Sequence, residues 1–151
     1  MRRRERGSVL LLFPAGVMIV IVLAAVAVDS SIAFLGEREV AAAVAAAAND
    51  AATEALADDA FYGRGTVELH DDEVARVAEA RVRASLDPGR YRSLQVRAEV
   101  VRPPGGCTWS LRVEASAWVR YLFAPALPGG PDDALVDAAT TSRPVQEGAS
   151  C

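Results

Sequence analysis

Between Val9 and Val28 the pattern of polar and apolar positions disappears. The chain there reads VLLLFPAGVMIVIVLAAVAV, twenty residues without a charge, an amide or a hydroxyl. As an α-helix rising about 1.5 Å per residue, this run covers about 30 Å, the hydrocarbon thickness of a bilayer. It predicts a transmembrane helix; a core helix of a soluble domain normally carries some polar position over such a length. Pro14 lies in the first two turns and Gly16 is common in membrane helices, so neither argues against the span. Ser8 stands where an N-cap is expected.

Patterning returns after Asp29. Ser30 to Phe61 is dominated by Ala, the strongest helix former, and the helix is expected to run on out of the span. Ile32, Leu35, Val40, Val44, Ala48, Ala52, Leu56 and Ala60 fall near one stripe. Glu37, Arg38, Asn49, Asp50, Glu54 and Asp58 lie opposite. A stripe of methyl groups suits close approach of another backbone, either a sheet of the same chain or a neighbouring subunit's helix; a simple spacer is the alternative. Gly63-Arg64-Gly65 breaks the run. Asp71-Asp72-Glu73 then places carboxylates at the positive end of a second helix. Its apolar face is Val74, Val77, Ala78, Val82, Ser85 and Leu86, with Glu79 and Arg83 spaced as a surface pair. Asp87-Pro88-Gly89 ends it.

Period-two alternation follows. Leu94, Val96, Ala98 and Val100 alternate with Gln95, Arg97 and Glu99. Beyond the Pro103-Pro104-Gly105-Gly106 turn, Cys107, Trp109, Leu111, Val113, Ala115, Ala117, Val119 and Tyr121 alternate with polar residues and Trp118. Two such runs across a Pro/Gly turn predict an antiparallel hairpin with one covered face. Phe123 to Pro131 reads as a linker. Asp133 to Val145 offers a weaker third strand, with Val136 and Ala138 on one side and Leu135, Asp137 and Ala139 on the other; Pro144 suits an edge. The expected fold is therefore α+β: a long N-terminal helix, half transmembrane and half Ala-rich, packed on a small antiparallel sheet with one extra short helix. The organisation is a basic cytoplasmic segment at 1–8, the span at 9–28, the helical extension at 29–62, an α+β ectodomain at 66–145 and a tail at 146–151.

Charge orients this arrangement. Residues 2–6, RRRER, carry a net +3, whereas the chain from Asp29 onward has 19 acids against 12 arginines, a net −7. A basic flank stays in the cytoplasm, so the acidic remainder is expected outside, with the lipid bilayer as a partner. An acidic head also argues against nucleic acid, which requires a basic face. Cys107 and Cys151 form an even pair that an exported domain can join in one disulfide, or leave as one buried and one terminal thiol. With a single His they cannot complete a closed zinc site.

No catalytic pattern emerges. His70 beside Asp71 reads as a surface residue, and there is no Gly-rich phosphate loop, HExxH or GxSxG. Asp58-Asp59 and Asp71-Asp72 are sequence neighbours that do not face the same way on a helix. Asp132-Asp133, read as part of a loop, lacks further oxygen ligands for Ca²⁺. The expectation is a non-enzymatic protein with no cofactor, metal or small-molecule substrate.

Two processing routes are open. Ala25-Val26-Ala27 offers a signal-peptidase site, which would release a secreted binding module near Ala27, although the apolar run exceeds the roughly 7–15 residues of a signal core. The other route comes from a family comparison. Arg6-Gly7-Ser8-Val9, Ala27-Val28-Asp29 and the run Ala41 to Ala52, followed by Tyr121-Leu122-Phe123 with Pro125 and Pro128, resemble the TadE/TadG-like proteins, pilin-like membrane proteins of tight-adherence (Flp) pilus systems. The N-terminal third carries most of that similarity. In processed members of the family a prepilin peptidase cuts after a Gly, with a Glu five residues into the mature chain. The resemblance places that cut between Gly7 and Ser8, with Phe13 as the aromatic beside the Glu. Leu12 stands where the Glu would be. The resemblance therefore implies an unprocessed, membrane-retained, pilin-like accessory component of a pilus-assembly or secretion system, partnered by other pilin-like subunits or assembly proteins.

Overall fold

The computed structural model describes residues 6–62, 71–101 and 110–143. Helix α1, Arg6–Tyr62, runs unbroken for 57 residues and carries Pro14 within it. Helix α2 spans Asp71–Ser85, and strands β1 (Tyr91–Val101), β2 (Ser110–Arg120) and β3 (Asp133–Ser142) follow. The three strands form one antiparallel sheet in the order β1-β2-β3. The fold is α+β, with a long N-terminal helix and one shorter helix on a three-stranded sheet. Ser8 lies inside α1 and not at its cap, because the helix begins at Arg6.

The two helices lie side by side and cover one face of the sheet. Val40, Val44, Ala47 and Ala48 of α1, Ala78 and Val82 of α2, and Leu111, Val113, Ala117 and Val119 of β2 are almost wholly buried in one apolar cluster. The buried face of α1 is wider than a single stripe: Ala43, Ala47 and Ala51 form a second row beside Val44, Ala48 and Ala52. One helix must meet both the sheet and α2, and only small side chains allow two close contacts on adjoining faces. Leu35 turns outward and is exposed. Ser85 also faces solvent and returns its hydroxyl to the Arg81 carbonyl at 2.8 Å. Arg81, one turn earlier, reaches Glu54 of α1 at 3.9 Å. The side chains of Leu56, Asp58 and Ala60 lie outside the described residues, as do Gly63 to Gly65 and the Pro103–Gly106 turn.

Strand alternation holds as its pattern predicts. Val96, Ala98 and Val100 pair opposite Ala115, Val113 and Leu111. Val136, opposite Ala117, is the buried residue of β3. Tyr91 is also buried, although it lies five residues before Val96, an odd spacing that simple alternation would send outward. An irregularity between Arg92 and Gln95 absorbs the extra residue, with Ser93 in the left-handed region at φ 51°. Asp133, read both as part of an Asp132-Asp133 loop and as the first residue of the third strand, opens β3 and pairs with Arg120.

Two contacts align α1 with the sheet. Near the base, a Cβ on Gly36 would sit 3.0 Å from Val119 Cγ2 and 3.7 Å from Val136 Cγ1. Near the top, the Ser142 hydroxyl donates to Asn49 Oδ1 at 3.0 Å. From Gly36 to Asn49 is about 20 Å of helix, and from Val136 to Ser142 about 20 Å of strand, so α1 runs along β3 over its length. Gly36 lets the two backbones approach. Gly36→Ala is expected to be close to neutral, because a gain in helix propensity of about 1 kcal/mol offsets the tight contact. Gly36→Val is expected to destabilise by about 1–3 kcal/mol through overpacking. Thermal unfolding followed by circular dichroism checks the pair.

Candidate functional site

Three surfaces stand out. The first is the lower half of α1. Among the described residues, this helix alone is long and apolar enough to cross a membrane; its most apolar stretch has a mean hydropathy of 2.5 and is 6% buried. Leu12, Phe13, Val17 to Leu23, Val26 and Val28 all project into open space. Leu12 and Phe13 lie on this exposed surface, and Gly7 and Ser8 fall in the helix backbone just before it.

The second is the junction where that surface ends. Asp29 is 5% exposed, the one buried charged residue among those described. Its Oδ1 accepts the backbone N–H groups of Leu122 at 2.8 Å and Phe123 at 3.1 Å, and its Oδ2 accepts that of Ala124 at 2.6 Å. These donors precede and open a short 3-10 turn, Ala124–Ala126, in the β2–β3 connection. Burial works to raise the Asp29 carboxyl, but the N–H groups of Phe123, Leu122 and Ala124 outweigh it and hold the pKa below the ordinary carboxylate value. One side chain thus ties the helix to a loop more than ninety residues later.

A second tie lies above it. The Tyr91 hydroxyl donates to Glu39 Oε2 at 2.7 Å, and Arg90 Nη1 donates to the same oxygen at 2.9 Å. Burial, together with the hydrogen bond and charge of Glu39, pushes the Tyr91 phenol up to about 12. Arg90 also stands 5.7 Å from the Tyr91 ring centre.

The third surface is the uncovered face of the sheet. It presents an open depression of about 590 Å³ whose lining includes Gln95, Arg97, Arg112, Glu114, Ser116 and Asp137. Arg112 donates to Glu114 at 2.7 Å, so the nearest opposite charges there are already paired. Among the described residues, no group of three or more His, Cys, Asp or Glu is placed to hold a metal ion. Cys107, Cys151 and His70 lie outside the described residues.

Asp29 was legible in the sequence only as the end of the apolar run. A signal was present, because a lone acid directly after twenty apolar residues needs donors nearby. Asp29→Asn is expected to raise hydrogen exchange at Leu122, Phe123 and Ala124 by on the order of tenfold, since charge-assisted hydrogen bonds are the strong ones. Strand amides should be unchanged. The wild-type contribution is present at neutral pH and is lost as pH falls below about 4 through the depressed folded value. In Asp29→Asn that acid step should vanish. Mass-resolved exchange of the 121–132 region reads both.

No protein-family model, curated protein or solved structure matches this chain. The functional reading therefore rests on these three surfaces.

Proposed function

We propose that this chain is a single-pass membrane protein with a non-enzymatic interaction head, acting as a minor or accessory pilin-like component of a TadE/TadG-type pilus assembly or secretion system. The observation that carries this reading is the division of α1. From Leu12 to Val28 it presents only apolar side chains, almost all of them exposed, while Val40 to Ala52 supply the core of a small α+β head. A helix with one half anchored in lipid and the other buried under its own sheet carries the head at a defined height above the membrane. Four arginines flank the start of the span, which favours a cytoplasmic N-terminus and an external head. The open sheet face and the two edge strands, β1 and β3, are then available to partner subunits. No residue is assigned a catalytic part.

Protease added to intact spheroplasts is expected to digest the head and leave a protected N-terminal fragment. Digestion only after lysis would overturn the orientation. Mass spectrometry of the mature N-terminus separates the processing routes: Met1 or Arg2 supports anchoring, Ser8 prepilin processing and Val28 secretion. Co-purification with a secretion ATPase or prepilin peptidase machinery tests the pilus assignment.

A further inference from the structure

The β2–β3 connection has a composition unlike the rest of the head surface. Tyr121 to Pro128 reads YLFAPALP, eight residues without a charge. Leu122, Phe123 and Leu127 are 65%, 42% and 37% exposed. Three large apolar side chains on one short exposed loop need an occupant.

The position of the loop identifies it. Through Asp29, the backbone at Leu122, Phe123 and Ala124 is held against the residue that immediately follows the apolar run of α1. That contact lies about 10 Å of helix below Gly36, where the sheet meets α1, so the loop reaches down from the head to the end of the span. Past Asp29, Phe34 and Leu35 of α1 are 63% and 55% exposed, and the first charges are Glu37 and Arg38. Apart from the hydroxyls of Ser30 and Ser31, the second of which donates to the Ala27 carbonyl at 2.8 Å, an uncharged surface thus continues for about 9 Å beyond Asp29, and the loop lies within that belt.

The loop also meets a requirement that water would not impose. In a water-poor layer every backbone N–H needs a partner inside the protein. Tyr121 N–H goes to the Asp132 carbonyl at 3.0 Å, and those of Leu122, Phe123 and Ala124 go to Asp29. Ala126 N–H goes to Phe123 at 2.9 Å and Leu127 N–H to Ala124 at 3.0 Å. Pro125 and Pro128 have none to satisfy. The segment from Tyr121 to Pro128 therefore leaves no amide donor to solvent.

We propose that the Tyr121–Pro128 loop is a second membrane contact, seated in the interfacial layer of the bilayer beside the span, with Asp29 as the internal acceptor that makes this possible. It rests on the reading of Val9–Val28 as transmembrane. Leu122, Phe123 and Leu127 insert among the upper acyl carbons and headgroups, as an interfacial segment does. The head then has two points of contact with the membrane and cannot tilt freely about α1.

The test uses the full chain in phosphatidylcholine liposomes brominated on the acyl chains either near the glycerol or near the terminal methyl. Phe123→Trp is made in a Trp109→Phe/Trp118→Phe background, with Val20→Trp and Glu114→Trp as references and circular dichroism to confirm equal folding. Shallow bromines are expected to quench Phe123→Trp by about half, deep ones much less. Val20→Trp should be quenched by deep bromines and Glu114→Trp by neither. Quenching of Val20→Trp with Phe123→Trp as bright as Glu114→Trp overturns the loop contact, leaves the span standing and assigns the loop to a protein neighbour. An unquenched Val20→Trp overturns the span and the loop contact together. Leu122→Trp repeats the measurement one residue away, so that one poorly tolerated substitution cannot decide it.

Discussion

Val44→Asp is expected to unfold the helix–sheet unit. Val44 is 0% exposed and lies in the cluster of α1, α2 and all three strands. An aspartate there leaves an uncompensated charge in the interior, at a cost of about 3–5 kcal/mol. A small domain has only about 5–15 kcal/mol in total, and this one draws much of its core from alanine. Removing volume alone is milder: Val44→Ala loses two carbons and should cost about 2 kcal/mol. The contrast separates buried charge from cavity. Circular dichroism should show sheet signal lost in Val44→Asp and retained in Val44→Ala. Protease should digest the first rapidly and the second slowly. Equal behaviour of the two variants would mean that α1 does not seal the sheet.

The second large effect concerns the span. Thirteen of the twenty residues from Val9 to Val28 are Leu, Ile, Val or Phe, each favouring insertion by roughly 0.3–0.6 kcal/mol, or roughly 4–8 kcal/mol together. An arginine near the helix centre opposes insertion by roughly 2.5–3.5 kcal/mol. Two of them, as in Ile19→Arg/Ile21→Arg, match the whole driving force. The double variant is expected to leave the carbonate-washed membrane fraction, while a single Ile19→Arg is largely retained. Ala42→Arg, on an exposed position of the helical extension, should have no effect on fractionation. A double variant that still pellets with washed membranes would show that the apolar helix is not what holds the chain there.

These effects divide according to what each level of structure could encode. The apolar run, the Ala-rich continuation and the alternation of Leu111 to Val119 are local patterns, and each reappears as the element it implies. Period fixes secondary structure because every second or every third to fourth side chain must enter the same apolar layer. Tyr91 escaped that logic, since its inward position depends on the irregularity at Ser93, which leaves no mark in a period-two pattern. Leu35 escaped it in the opposite sense. It matches the helical stripe, but the side of α1 that is covered at this level carries Asp29, Ile32 and Gly36, and Leu35 lies about a quarter turn round the helix from them.

By itself the sequence determined the α+β class, the order of elements, the alternation of the strands, and one apolar helix able to cross a membrane. Hydrophobic periodicity and charge asymmetry are sums over neighbours along the chain. The pairing of Asp29 with Leu122 to Ala124, of Glu39 with Tyr91 and Arg90, and of Gly36 with Val119 was decided only by the tertiary structure. Each joins residues more than fifty positions apart, and a polar side chain carries no sign of which distant donor will reach it until packing of the apolar faces has brought the two together.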